Sequence, residues 1–197
     1  TLHTFELPGQ CLNIDGAPVC NYIPEDVDCT ATNQLCLSNR CSDKIQTVRD
    51  AAEGDIDLFL EGIWVSYVSD NGYYVQRQQE GPAIFVYMGT SWTANVLSGD
   101  LVALHAEQRG DFNGTAQIVG TVDTLHRVDA HTDSVEFLVQ DLSAGGALTE
   151  GTESELIRIR DGRFVQPQST SVWEYEYAGG AATTVIYYPD FDSFYED

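Results

Sequence analysis

Five cysteines are the most reactive side chains in this sequence, and their spacing restricts what they can do. Cys11, Cys20, Cys29, Cys36 and Cys41 all fall in the first 41 of 197 residues, and the rest of the chain has none. The pattern C-x8-C-x8-C-x6-C-x4-C contains no CxxC pair and no close histidine. That disfavours zinc and points to disulfides formed in an oxidising compartment, so an extracellular or cell-surface location is expected. The odd count leaves one thiol unpaired within the chain, either buried and inert or bridged to another subunit, and spacing does not choose between these fates.

Other candidate chemistry is sparse. His126, Asp129 and His131 in "HRVDAH" are metal-ligating types, but on a strand the two histidines would point to opposite faces, and a surface pair is the simpler reading. No G-x-S-x-G elbow, phosphate loop, H-E-x-x-H or haem-attachment motif occurs. No enzyme is expected. Calcium is the cofactor that suits this composition, through "NIDG" at 13–16, "SDNG" at 69–72 or "DFDSFYED" at 190–197. None of these matches the twelve-residue EF-hand loop, and each reads equally as a turn or a solvated tail.

Thirty-one acidic against nine basic residues give a formal charge of −22, spread through every segment. A field of that sign repels polyanions, because nucleic-acid affinity rests largely on neutralising phosphates with Lys and Arg. Nucleic acid is therefore a disfavoured partner. The apolar runs are too short to span a bilayer and no hydrophobic leader is present, so a mature soluble product is expected.

The elements that would position these residues are mostly strands. Residues 1–43 hold the cysteines with Pro8, Pro18 and Pro24 and read as a loop-rich segment. In "KIQTVRDAAEGD", Ile45, Val48 and Ala51 or Ala52 have helical spacing that stops at Gly54. "DIDLFLEGIWVSYV" then alternates as a long strand with a bend at Gly62, "GYYVQRQ" and "PAIFVYMG" form the next two strands, and 99–128 supply the fourth and fifth around "DFNG". Five strands with a bent first member describe a small OB-type barrel over 44–130. Residues 131–197 contain the acidic strand "SVEFLVQDL" and, after it, "ESELIRIRDGRFV", "SVWEYEYA" and "TTVIYY" as a second, partial β-unit. The fold class is all-β with few short helices.

The series "TVRDAAEGD…LEGIWVSY…NGYYVQ…AIFVYMG…GDLVALHAEQ…FNGTAQI" over about residues 45–128 resembles OB-fold-like modules attached to secreted bacterial nucleases and other envelope proteins. Gly62, "GYYVQ", "IFVY", "GD" at 99–100 and "G-x-x-QI" at 114–118 carry the likeness. They are scaffold features, and the chain holds nothing like a nuclease catalytic domain.

The residues support two functional expectations. On the second and third strands, Tyr74, Phe85 and Tyr87 are candidates for a binding face, with burial as the competing reading; only Arg77 accompanies them, so a glycan suits the face better than single-stranded nucleic acid. The other expectation is assembly with copies of the same chain, as a filament or surface-appendage subunit. An unclosed β-unit exposes edges that another copy can pair with, anchored by Leu2, Phe5 and Leu7 or by Tyr187, Tyr188, Phe191, Phe194 and Tyr195. Assembly is the first choice from sequence and binding the second.

Overall fold

In a computed structural model of the chain, residues 2–5, 10–14, 17–21, 24–27, 34–37, 40–119, 127–167, 172–177 and 184–187 are described. The backbone of the first segment forms three small antiparallel pairs. These are β1 (Leu2–Phe5) with β4 (Pro24–Val27), β2 (Gln10–Ile14) with β3 (Ala17–Asn21), and β5 (Leu35–Leu37) with β6 (Arg40–Ser42). Polar contacts tie the last pair to residue 59 of the barrel: Gln34 Nε2 donates to Asp43 Oδ1 at 2.8 Å, and Asp43 Oδ2 accepts from the Phe59 N–H at 2.7 Å.

Helix α1 (Ile45–Asp50) comes next, its Ile45 and Val48 turned into the core as their spacing predicts. The barrel is then β7 (Gly54–Ser69), β8 (Gly72–Gln76), β9 (Ala83–Tyr87), β10 (Asp100–Phe112) and β11 (Thr115–Val119). Around the barrel the order is β7-β8-β9-β11-β10 and back to β7. All contacts are antiparallel except β9 with β11, which run parallel through Phe85↔Gln117 and Val86↔Ile118. That order closes the sheet on itself and is compatible with an OB-like fold.

Two long strands make closure possible. β7 pairs with β8 and with β10, and it bends where Glu61 and Gly62 together oppose the single residue Ala103. Gly62 has φ +65°, a left-handed conformation that glycine adopts without a Cβ clash, so the bend expected there is a β-bulge. The inward residues Leu60, Ile63, Val65, Tyr73, Val75, Ile84, Val86, Val102, Leu104 and Ile118 are fully or almost fully buried. Each aliphatic member contributes roughly 1.5–3 kcal/mol through burial. Burial also pushes the Tyr73 hydroxyl well above its ordinary titration range.

Beyond the barrel, β12 (Arg127–His131) pairs with the first residues of β10, and the His131 ring nitrogen Nδ1 lies 2.7 Å from buried Asp100 Oδ1. The run "SVEFLVQDL" is not the continuous strand its composition suggests. It forms a 3-10 turn at Glu136–Leu138 and then the two-residue β13 (Gln140–Asp141), parallel to β14 (Ile157–Arg158). Leu138 is fully buried, and the next-door Phe137 meets Trp64 edge-on at 5.2 Å between ring centroids.

Segment 134–158 is held on the barrel by polar anchors. Gln76, fully buried, donates through Nε2 to the Leu138 carbonyl at 2.9 Å and accepts from the Leu156 N–H at 2.7 Å. Arg49 donates to the carbonyls of Ala83, Glu150 and Glu153 and lies 3.3 Å from Glu153 Oε1. Glu155 accepts from the Gly81 N–H, but burial raises its carboxyl above the usual range. The remaining strands, β15 (Arg163–Pro167), β16 (Val172–Glu176) and β17 (Thr184–Tyr187), form an antiparallel meander. The Tyr177 hydroxyl receives the Leu148 N–H at 2.8 Å.

Candidate functional site: an aromatic row on the barrel wall

Alternation on β8 and β9 sends Tyr73, Val75, Ile84 and Val86 inward and leaves Tyr74, Phe85 and Tyr87 on the outer face, half-buried. Register then aligns them. Tyr67 of β7 opposes Tyr74, and Tyr74 opposes Phe85; Phe85 pairs with Gln117 of β11, which in turn opposes Gly110 of β10. Ring centroids are 6.2 Å apart for Tyr67–Tyr74, 4.7 Å for Tyr74–Phe85 and 6.4 Å for Phe85–Tyr87. Three of these rings thus form one cross-strand row, a spacing at which aromatic faces attract one another.

Tyr67 is the member that sequence alternation misses. Strict period two from Ile63 and Val65 would turn Tyr67 inward, but Ser66 is an extra residue between the pairs Val65↔Val75 and Tyr67↔Tyr74. The bulge is secured by Ser98, whose Oγ donates to the Ser66 carbonyl at 2.7 Å, and by Ser66 Oγ donating to the Tyr74 carbonyl. As a result Tyr67 is 53 % exposed. No local composition signal announces this bulge, since it depends on the loop before β10.

Gly72 completes the floor of the site. It opposes Tyr87, and a Cβ there would stand 2.1 Å from the Val86 carbonyl oxygen and 2.8 Å from the Phe85 ring. The Phe85 ring therefore lies against bare backbone, which holds it beside Tyr74.

The expected basic companion is engaged elsewhere. Arg77 donates to the Glu61 carbonyl at 2.6 Å and to Ser42 Oγ at 3.2 Å, and desolvation lowers its pKa against the opposing influence of Glu61. It serves as a structural cation joining β8 to the bulge of β7. The row offers apolar ring faces, phenol oxygens and the Gln117 amide.

The other sequence candidates are dispersed. Asp129 and His131 lie on β12, and His126 lies outside the described residues. In "SDNG", Ser69 Oγ is 3.1 Å from both Asn71 Oδ1 and the Gly72 carbonyl, within the turn between β7 and β8. Asn13 and Ile14 of "NIDG" lie on β2; the other two residues of that stretch, and all of 190–197, lie outside the described residues. Among the described residues no group of three or more His, Cys, Asp or Glu side chains is gathered as for a metal ion. Leu2 and Phe5 lie on β1 and Tyr187 ends β17, whereas Leu7, Tyr188, Phe191, Phe194, Tyr195 and Cys29 fall outside the described residues. No helix among the described residues is long and apolar enough to cross a membrane.

Compared with protein-family models, curated proteins and solved structures, the chain matches none of them. The closed barrel with its parallel β9–β11 contact is thus what supports the OB-like fold.

Proposed function

We propose that this chain is a secreted, non-enzymatic binding module that takes a glycan on the row Tyr67, Tyr74 and Phe85, with Tyr87 and Gln117 beside it. The observation that carries the reading is the alignment of three rings across three strands on the outer face. Sugar rings stack their C–H faces on such surfaces, while phenol and amide groups serve their hydroxyls. The charge of −22 and the engagement of Arg77 weigh against a phosphate backbone. The resemblance to modules of secreted nucleases and envelope proteins agrees with an extracellular role.

The test is a glycan array followed by titration of any hit, with oligonucleotides in parallel. Tyr67→Ala and Tyr74→Ala should each weaken binding roughly tenfold, about 1.4 kcal/mol, with the melting temperature little changed for the exposed Tyr67. No glycan bound, or unchanged affinity in both variants, overturns the reading; binding of oligonucleotides alone reassigns the ligand.

Self-assembly is the second reading, and the open edge of β17 favours it. β15 carries an extra residue, Val165, between Phe164↔Tyr175 and Gln166↔Glu174, and ends at Pro167; both features blunt an edge. Among the described residues no strand pairs beyond β17, so Thr184–Tyr187 offers the edge to which another copy would add a strand. Light scattering and negative-stain imaging of native protein test it: a strict monomer removes this reading.

A further inference from the structure

We propose that the N-terminal segment carries two hairpin disulfides, Cys11–Cys20 and Cys36–Cys41, leaving Cys29 without a partner in the chain. Spacing leaves the connectivity open, since any four of the five cysteines still allow about three pairings. The backbone register selects among them. β2 and β3 pair Cys11 directly with Cys20, and β5 and β6 pair Cys36 directly with Cys41.

Directly opposed residues of an antiparallel pair have Cα atoms about 4.5 or 5.5 Å apart, depending on phase. Both separations fall in the roughly 4.4–6.8 Å window that a disulfide spans. The β5–β6 hairpin has an independent anchor. Gln34 and Asp43, the next residues outward from the pair Leu35↔Ser42, are joined by a side-chain hydrogen bond at 2.8 Å, which agrees with that register. Ser42, next to Cys41, is fully buried and its Oγ accepts from the Glu61 N–H at 2.9 Å, which fixes β6 against the barrel.

Each bridge forms by exchange with a small-molecule or protein disulfide. One cysteine thiolate attacks that disulfide, releasing one thiol and leaving a mixed disulfide. The second thiolate then displaces the other carrier thiol, so two protons and two electrons leave the cysteine pair and the carrier is reduced to two thiols. Both loops closed in this way are short, so the bridges staple hairpins locally and do not span the barrel.

The experiment uses the full chain equilibrated with oxidised and reduced glutathione, blocked with iodoacetamide and digested without reduction. Proteases that cut at Asp15, Leu35 and Arg40, with a further cut at Asp26 or Asp28, separate all five cysteines for mass spectrometry. The expected products are peptide pairs joined through Cys11–Cys20 and Cys36–Cys41, with Cys29 alkylated or glutathionylated, and Cys29→Ser leaves both bridges in place. A bridge from Cys29 to any other cysteine of the same chain, a bridge between the two hairpins, or alkylation of all five thiols overturns the proposal.

Discussion

Strands β7–β11 and β15–β17 are both dominated by antiparallel pairing, yet the first set returns on itself while the second, among the described residues, ends in two outer strands. The difference lies in strand length and bending. β7 and β10 span 16 and 13 residues, long enough for each to pair with different neighbours along its length, and bulges turn β7 where it must curve. The strands of the meander have four or five residues each and no such reach. Closure gives the barrel an interior on which inward residues converge, whereas Val165, at the register shift of β15, is 42 % exposed.

Substitutions should separate the two regions by magnitude. Leu104→Ala removes a fully buried side chain from the barrel and should cost about 2–5 kcal/mol in denaturant unfolding. A cost within experimental error would mean the barrel interior is not the stabilising core. Gly72→Ala forces a Cβ against the Val86 carbonyl and should cost about 1–3 kcal/mol, and should also displace Phe85 and so weaken any ligand of the row. Normal stability with intact binding would contradict that close approach.

Gln76→Ala examines the seam between barrel and following segment. It strips partners from the Leu138 carbonyl and the Leu156 N–H, and a loss of about 1–3 kcal/mol is expected, with faster amide exchange between 138 and 158 than within β7 or β10. Uniform exchange changes would show that the segment and barrel open together. At the small end, Val165→Ala on β15 should stay within about 0.5 kcal/mol.

The seam also has a definite pH response. Because the folded-state pKa of Glu155 is raised by burial, its contribution to stability is present below its unfolded-state pKa and is lost as pH rises through the raised folded value. Glu136, hydrogen-bonded by Arg158 through both carboxylate oxygens, and Asp141, bonded by Ser143, have lowered values. Their contributions run the other way: they are present above the ordinary carboxylate pKa and fade as pH falls through the lowered ones. Glu155→Gln keeps an acceptor for the Gly81 N–H and should abolish only the loss on raising pH. Melting temperatures of wild type and variant across the acid range check this, and parallel curves would remove Glu155 as the cause.

Much of the barrel is legible before any coordinates. Ile45 and Val48 mark the helix, alternation separates Tyr73 from Tyr74, and Gly62 marks the bend. "SVEFLVQDL" misleads: its apolar, β-branched run reads as one strand, yet it folds as a 3-10 turn at Glu136–Leu138 followed by the two-residue β13, with the Leu138 carbonyl taken by Gln76 of the barrel. The row itself is half legible. Tyr74, Phe85 and Tyr87 stand out by type and period, while Tyr67 joins them only through the Ser66 bulge.

Sequence alone determined the five barrel strands, the alternation along β8 and β9 and the strong negative charge, since these depend on side-chain type and local backbone preference. Tertiary structure decided which strands meet: the parallel contact of β9 with β11, the alignment of Tyr67 with Tyr74 and Phe85, and the anchoring of segment 134–158 through Gln76 and Arg49. Pairing between distant strands depends on three-dimensional register, and a period of two residues leaves the neighbour across the sheet unspecified.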